Sequence, residues 1–205
     1  YDLSLYERYG IMAFEKNVDI SKIIIVTTED RILDMQQICD KYMISKLSDI
    51  VSGGNNRHES VMNGIACLDS ADTKVLIHDG ARPLIENSTI TAVVRALDNF
   101  DAALCVHKIN DTVKKVDKNG MVLSTVDRDM LWGAQTPQGV DVNKYKSACE
   151  KIENAAEFTD DASVMEAAGY TVKAVIGSSK NIKITTPDDI IFAEGLLKGE
   201  DGLCE

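Results

Sequence analysis

The 205-residue sequence is poor in chain breakers. Its 3 prolines and 13 glycines are too few and too scattered for a flexible linker or a low-complexity tract. No internal repeat is visible, so residues 1–205 read as one continuous domain. Long apolar runs are missing: nothing reaches the roughly 18 residues of a membrane span, and no basic-then-apolar leader opens the chain. No membrane partner is expected. Cysteine is sparse, and Cys39, Cys67, Cys105, Cys149 and Cys204 are odd in number, widely spread and free of C-x-x-C spacing. That pattern suggests neither a disulfide framework nor a zinc site and fits a reducing cytoplasm. His58, His78 and His107 lack any H-x-x-H or H-E-x-x-H context, so no histidine-built metal site is expected. Positive charge is in deficit, with 22 Lys and Arg against 33 Asp and Glu, a net charge of -11. Such a field disfavours nucleic acid and anionic membranes as partners.

What is present is enough apolar material for a core, 44% of residues, patterned as strands alternating with helices. Lys22 to Thr27 (KIIIVT) is a β-branched run suited to a strand buried on both faces. Arg31 to Met43 follows with Ile32, Leu33, Met35, Ile38 and Cys39 at helical spacing. The unit recurs: a strand over Lys46 to Val51 and a helix from Glu59 to Leu68, then a strand over Val75 to His78 and a helix from Ser88 to Leu97, then a strand over Ala102 to Val106. Beyond Asn110 the rhythm changes to two alternating runs, Thr112 to Asp117 and Met121 to Val126, joined by Lys118-Asn119-Gly120. That is a hairpin. Helices over Asn143 to Ile152 and Asp161 to Ala168, a strand over Thr171 to Val175 and a last helix complete the chain. The last helix has Thr186 as N-cap, Pro187 at its first position, Asp188 and Asp189 at its positive end and Gly199 as a stop. The expectation is an α/β fold with a mainly parallel sheet, helices on both faces, an inserted hairpin and ligands at the carboxyl ends of the strands.

Three polar clusters fall at strand ends. Ser52-Gly53-Gly54-Asn55-Asn56-Arg57-His58-Glu59-Ser60 opens a helix, where backbone amides, a hydroxyl and a guanidinium could meet an anion or a base edge, although Gly-Gly before a helix is more often just a turn. His78-Asp79-Gly80-Ala81-Arg82-Pro83 follows an apolar strand. Asp79 with Arg82 is either a structural ion pair or a ribose and phosphate grip, and His78 reads as a packed strand residue. In Asn181 to Pro187, a short alternating strand puts Lys183 and Thr185 on one face beside a helix N-terminus, a place suited to phosphate or simply to a solvated edge lysine.

Read in order, GGNNRHESVMNGI (53–65), VLIHDGARPLI (75–85), INDTVKKVD (109–117), TVDRDMLWGAQTPQG (125–139), TDDASVMEAAGY (159–170) and NIKITTPDD (181–189) resemble the methylerythritol phosphate cytidylyltransferases, within the Rossmann-like nucleotidyltransferases. The resemblance covers nearly everything from Ile11 to Leu197. It implies transfer of CMP from CTP to a methylerythritol phosphate, with pyrophosphate leaving and Mg2+ held largely through the CTP phosphates. Gly54, Asn55, Ser60 and Gly80 would meet the nucleotide, although the family commonly has Asp where Asn55 stands. Asp79 and Lys183 would be the catalytic pair, both also touching the nucleotide. Arg82, Thr159 and Thr185 would meet the sugar phosphate. Residues 110–136 would be an arm exchanged within a homodimer, bringing Thr112, Arg128 and Thr136 to the partner's site. Attack by a phosphate on a triphosphate brings like charges together, so such a site needs cations, amides and a metal, and no general base.

One departure stands out. The family opens with a strand, a glycine-rich loop of the form LAAGxGxRM and a Pro-Lys-Gln stretch, and YDLSLYERYG matches none of it. The expectation is a chain shortened at its start or a member without that half of the site, with weak CTP binding and little turnover. Two rivals remain at this level: a cytidylyltransferase for another polyol phosphate such as ribitol 5-phosphate, and a catalytically silent dimeric scaffold.

Overall fold

The structure, a computed structural model, describes the backbone of residues 4–201 and the side chains of residues 8–198. Tyr1 and Cys204 lie outside the described residues. The strands are β1 (Ile23–Thr27), β2 (Leu47–Ser52), β3 (Lys74–Ile77), β4 (Ala102–Lys108), β5 (Lys114–Val116), β6 (Val122–Thr125), β7 (Trp132–Asp141) and β8 (Val172–Ile176). The helices are α1 (Ser4–Lys16), α2 (Ile32–Lys41), α3 (Arg57–Ala66), α4 (Asn87–Ala96), α5 (Val142–Lys151), α6 (Asp161–Ala167) and α7 (Pro187–Asp201). Among the described residues no helix is long and apolar enough to cross a membrane.

The α/β architecture follows the sequence pattern. β4 shows why helices cover both faces of its sheet. Ala102 packs with Ile65 of α3, Val142, Tyr145 and Ala148 of α5, and Val164 and Met165 of α6. Its neighbours in alternation, Ala103 and Cys105, pack on the other face with Val93 of α4 and with Leu97 just past its end. Leu33, read as part of an apolar helix face, is 75% exposed; Met35 and Cys39 carry the buried stripe of α2.

Two features depart from the expected sheet. The first is β7, a strand that the sequence pattern does not announce. It runs antiparallel between β3 and β4 in the order β3-β7-β4-β8, while β3, β4 and β8 share one direction. Pro137 lies in its middle, a residue normally kept out of central strands because it cannot donate to the ladder. A bulge accommodates it: Ala134 pairs with Val106 and Gln138 with Leu104, so Gln135, Thr136 and Pro137 stand opposite Cys105 alone. The second is discontinuity. β1 and β2 form a separate parallel pair that makes no ladder with β3. Between β1 and β3 lies a cavity of about 990 Å³, lined by every residue of Ile23 to Thr27 and of Thr73 to Gly80. Consecutive lining means that both strands present their edges, since a strand face would show alternate residues.

Three smaller expectations are corrected. The arm yields to β7 at Trp132, so residues 132–136 belong to the core sheet. Residues 181–185 form no strand; Ile184 N–H reaches the Ala81 carbonyl at 2.8 Å, Asn181 N–H and Ile182 N–H turn back to the Ser178 and Lys180 carbonyls, and Thr185 N–H goes to the Asp189 side chain. Helix α7 continues through Gly199 to Asp201. Its start is as expected, with Asp189 N–H on Thr186 Oγ1 (3.4 Å) and Thr186 N–H on Asp189 Oδ2 (2.8 Å), a reciprocal cap.

Candidate active site

The end of β3, the β7 bulge and the segment before α7 meet at one place. Asp79 Oδ2 lies 3.1 Å from Lys183 Nζ and 3.6 Å from Arg82 Nε. Burial would raise the Asp79 pKa, but Lys183, Arg57 and Arg82 together hold the carboxyl below its ordinary value. Arg82 is 12% exposed and donates from NH1 to the Asn181 carbonyl at 2.8 Å, while Lys183 is 48% exposed. Lys183 is therefore the exposed cation and Arg82 the largely buried, doubly held one. Gly80 sits in the tight turn from Asp79 to Arg82, closed by Arg82 N–H on the Asp79 carbonyl at 2.9 Å, and the space where a side chain would project is open.

Side chains from distant parts of the chain hold this turn. Asn181, 1% exposed, donates to the Thr136 carbonyl at 2.8 Å and to Gln135 Oε1 at 3.3 Å. Thr136 is 5% exposed, and its hydroxyl accepts Asp79 N–H at 3.0 Å. The same hydroxyl lies 3.1 Å from His78 Nδ1. Thr136 was expected to reach a partner's site from the arm; the bulge instead turns it toward Asp79 of its own chain. His78, expected as a strand residue, falls just past β3.

The glycine loop is satisfied from within. Gly54 N–H donates to Ser60 Oγ at 3.1 Å. Asn55 donates to Glu59 Oε2 from its backbone (2.8 Å) and its side chain (3.0 Å), and Asn56 Nδ2 reaches Glu59 Oε1 at 2.8 Å. Asn56 also caps α3, accepting Glu59 N–H. A ligand anion at Gly54, Asn55 and Ser60 would find the donors already taken: those of Asn55 by Glu59, that of Gly54 by Ser60 Oγ, and the Ser60 hydroxyl by the Asn56 carbonyl. Arg57, at the start of α3, turns away to Asp161.

The remaining expected ligands lie outside the cluster. Thr185 gives its hydroxyl and its N–H to Asp189 Oδ2 at 3.0 and 2.8 Å and so serves the α7 start. Thr159 is exposed just before Asp160. Thr112 and Arg128 are exposed on the arm, and Arg128 hydrogen-bonds the Asn110 carbonyl there. No group of three or more His, Cys, Asp or Glu converges among the described residues. A Mg2+ ion bound through triphosphate oxygens and water needs no such cage.

Residues 7–199 match the family model of the 2-C-methyl-D-erythritol 4-phosphate cytidylyltransferases (IspD). The chain belongs to this family. A cytidylyltransferase of that name from Halalkalibacterium halodurans is 42% identical over 190 residues, 92% of this chain and 82% of that protein. Its namesake from Clostridium acetobutylicum is 41% identical over 195 residues, 93% and 83% of the two chains. In three dimensions the chain is similar to the 4-diphosphocytidyl-2C-methyl-D-erythritol synthase of Anaerococcus prevotii, with a TM-score of 0.85 at 33% identity, covering 94% of this chain and 86% of that one. The cytidylyltransferase of Francisella tularensis gives a TM-score of 0.74 at 30% identity, covering 91% and 85%. Within this cytidylyltransferase family, then, stand the residues that the sequence reading missed as partners: His78, Gln135, Asn181 and Asp161. Each lies inside a motif quoted above. What the sequence did not give was the long-range contact each one makes.

Proposed function

We propose that this chain transfers CMP from CTP to the phosphate of 2-C-methyl-D-erythritol 4-phosphate. The observation that carries the reading is the Asp79–Arg82–Lys183 cluster, two cations about one carboxylate beyond the end of β3, in a chain of this family. A phosphate oxygen of the sugar attacks the α-phosphorus of CTP. The bond from that phosphorus to the bridging oxygen breaks, and pyrophosphate leaves with the electron pair. The attacking oxygen is already ionised near neutral pH, so no proton need be removed. Lys183, exposed and paired with Asp79, can follow charge as it develops at the reacting phosphates; Arg82, held by Asn181 and Asp79, binds the sugar phosphate. Asp79 keeps both cations in register and is the group available to the sugar or ribose hydroxyls. Mg2+ carried on the CTP phosphates supplies charge neutralisation.

The same reading makes the chain a cytoplasmic homodimer whose arm, residues 110–131, brings Thr112 and Arg128 toward the partner's site. The support is that β5 and β6 form a two-stranded sheet with exposed apolar groups, Val116, Met121, Val122 and Leu123, and such a ribbon has little stability alone. The test is pyrophosphate release from CTP with protein in molar excess, so that even slow turnover registers. Release is expected with 2-C-methyl-D-erythritol 4-phosphate. Release only with ribitol 5-phosphate, or with neither, would overturn the proposal.

A further inference from the structure

His78 has both ring nitrogens engaged, and its partners fix which one carries the proton. Nε2 lies 3.0 Å from the Arg82 carbonyl, which can only accept, so Nε2 must be the donor. Nδ1 is then bare and accepts from the Thr136 hydroxyl at 3.1 Å. That hydroxyl has spent its proton, and its oxygen receives Asp79 N–H at 3.0 Å. Every donor in the relay meets an acceptor. The ring leans on Phe14 of α1, with centroids 5.0 Å apart at 54°, and the charged groups beside it are Asp79 and Arg82.

The relay grips both ends of one turn. Asp79 is held by its N–H and Arg82 by its carbonyl, and these residues carry the carboxylate and guanidinium at the candidate site. We infer that His78 is a positioning residue: as a neutral imidazole protonated on Nε2, it locks the turn from Asp79 to Arg82 to the Thr136 hydroxyl and so aims Arg82 at the sugar phosphate. His78 touches no reacting atom. A second proton would have no acceptor at Nδ1 unless the Thr136 hydroxyl gave up its present orientation. Burial opposes that proton as well, lowering the pKa to about 4. The inference rests on reading Asp79 and Arg82 as substrate groups, but the relay itself can be tested without catalysis.

On the 205-residue chain labelled with ¹⁵N-histidine, long-range ¹H–¹⁵N correlation should show His78 with a bare Nδ1 and a protonated Nε2, unchanged from pH 7.5 to 5.5. An Nδ1–H tautomer, or titration near the ordinary histidine value of about 6.5, overturns the inference. Thr136→Val should speed hydrogen exchange at the Asp79 N–H, and unchanged exchange there counts against the relay. Affinity for 2-C-methyl-D-erythritol 4-phosphate, read by NMR titration, should fall on the order of tenfold in His78→Leu and Thr136→Val, as expected for losing one well-aligned charged contact. His78→Gln keeps a donor near the Nε2 position and should recover most of the loss. Equal affinity in His78→Leu and the unsubstituted chain would sink the positioning role. If the unsubstituted chain binds no sugar phosphate, the functional reading fails, while the tautomer and the exchange rates still decide the relay. A His78→Leu chain that does not fold leaves Thr136→Val and the tautomer to decide it.

Discussion

Arg57 and Asp161 meet fork to fork across the starts of α3 and α6, NH1 to Oδ1 at 3.0 Å and NH2 to Oδ2 at 2.5 Å. Asp161 is 1% exposed and also accepts the Tyr145 hydroxyl at 2.8 Å, so its carboxylate joins three helices. Burial alone would lower the Arg57 pKa; Asp161 outweighs it and raises it. The pair orients α3, into which the glycine loop leads.

Removing one partner of such a pair strands the other. Asp161→Ala should cost about 2–3 kcal/mol of stability, less than for a fully buried pair because Arg57 is 39% exposed. Arg57→Lys should cost less than Arg57→Ala, since a lysine keeps the charge and loses only the fork. Urea denaturation of the three variants checks the order, and an Asp161→Ala midpoint equal to that of the unsubstituted chain would contradict it.

Acid should destabilise the protein in two windows. The His78 pKa is depressed to about 4 by burial, against about 6.5 in an unfolded chain. The unfolded state therefore takes up a proton first. The stability that His78 contributes is complete above about pH 6.5 and is lost as pH falls to about 4, at most about 3 kcal/mol. Asp101, beside Lys144 and Thr171, and Asp189, bonded to the Thr185 and Thr186 amides, are lowered to about 2. Their contribution is present above the ordinary aspartate value and is lost below it, toward pH 2. Urea midpoints at pH 7, 5 and 4 should fall steadily in the unsubstituted chain and barely move in His78→Gln; parallel slopes would refute the assignment of the first window.

Glu59 occupies the loop expected, from the family resemblance, to meet the nucleotide. Its carboxylate accepts from Asn55 and Asn56, and it would repel an incoming phosphate. Glu59→Gln should tighten CTP binding about threefold or more at low salt, with little change in stability because Asn56 still caps α3. Isothermal titration measures this. Weaker binding in the variant would show Glu59 to be a support of the site and no competitor.

The arm offers a sharper test of association. Val116 and Val122 face each other across the hairpin, 52% and 61% exposed. Val122→Glu should turn a dimer into a monomer in sedimentation velocity and leave the core intact by circular dichroism. A monomer before substitution would remove the homodimer from the proposal.

Periodicity carried the reading a long way where burial and sequence pattern coincide. β1, β2, β4 and β8, and the helices between them, lie within a few residues of the expected runs. β7 escaped because Gly133, Pro137 and Gly139 carry the marks of a loop. Its strand character comes from having a ladder partner on each side and from Val93, whose Cγ1 would lie 2.9 Å from any Cβ at position 139. The site divides the same way. Asp79 and Arg82 are legible as polar groups following an apolar run, and Lys183 as the polar member of an alternating run before a helix. Their supports are not, because His78 and Asp79 meet Thr136, and Arg82 meets Asn181, across long stretches of chain that no local pattern encodes.

The divided sheet predicts uneven stability. β4 is bonded on both edges, by β7 and β8, whereas β1 and β3 each pair on one edge and turn the other to the 990 Å³ cavity. Amide hydrogens on those free edges should exchange orders of magnitude faster than those of Ala103 to Val106. Among the described residues the β1–α2–β2 unit makes no ladder with the larger sheet; it is joined to it by packing with helices such as α3 and by exposed ion pairs from Lys22 to Asp69 and Asp72, so it should open at a lower urea concentration than β4. Native-state hydrogen exchange at increasing urea separates the two. A single free energy shared by Ile24 to Val26 and Ala103 to Val106 would mean that helix packing alone couples the halves into one cooperative unit.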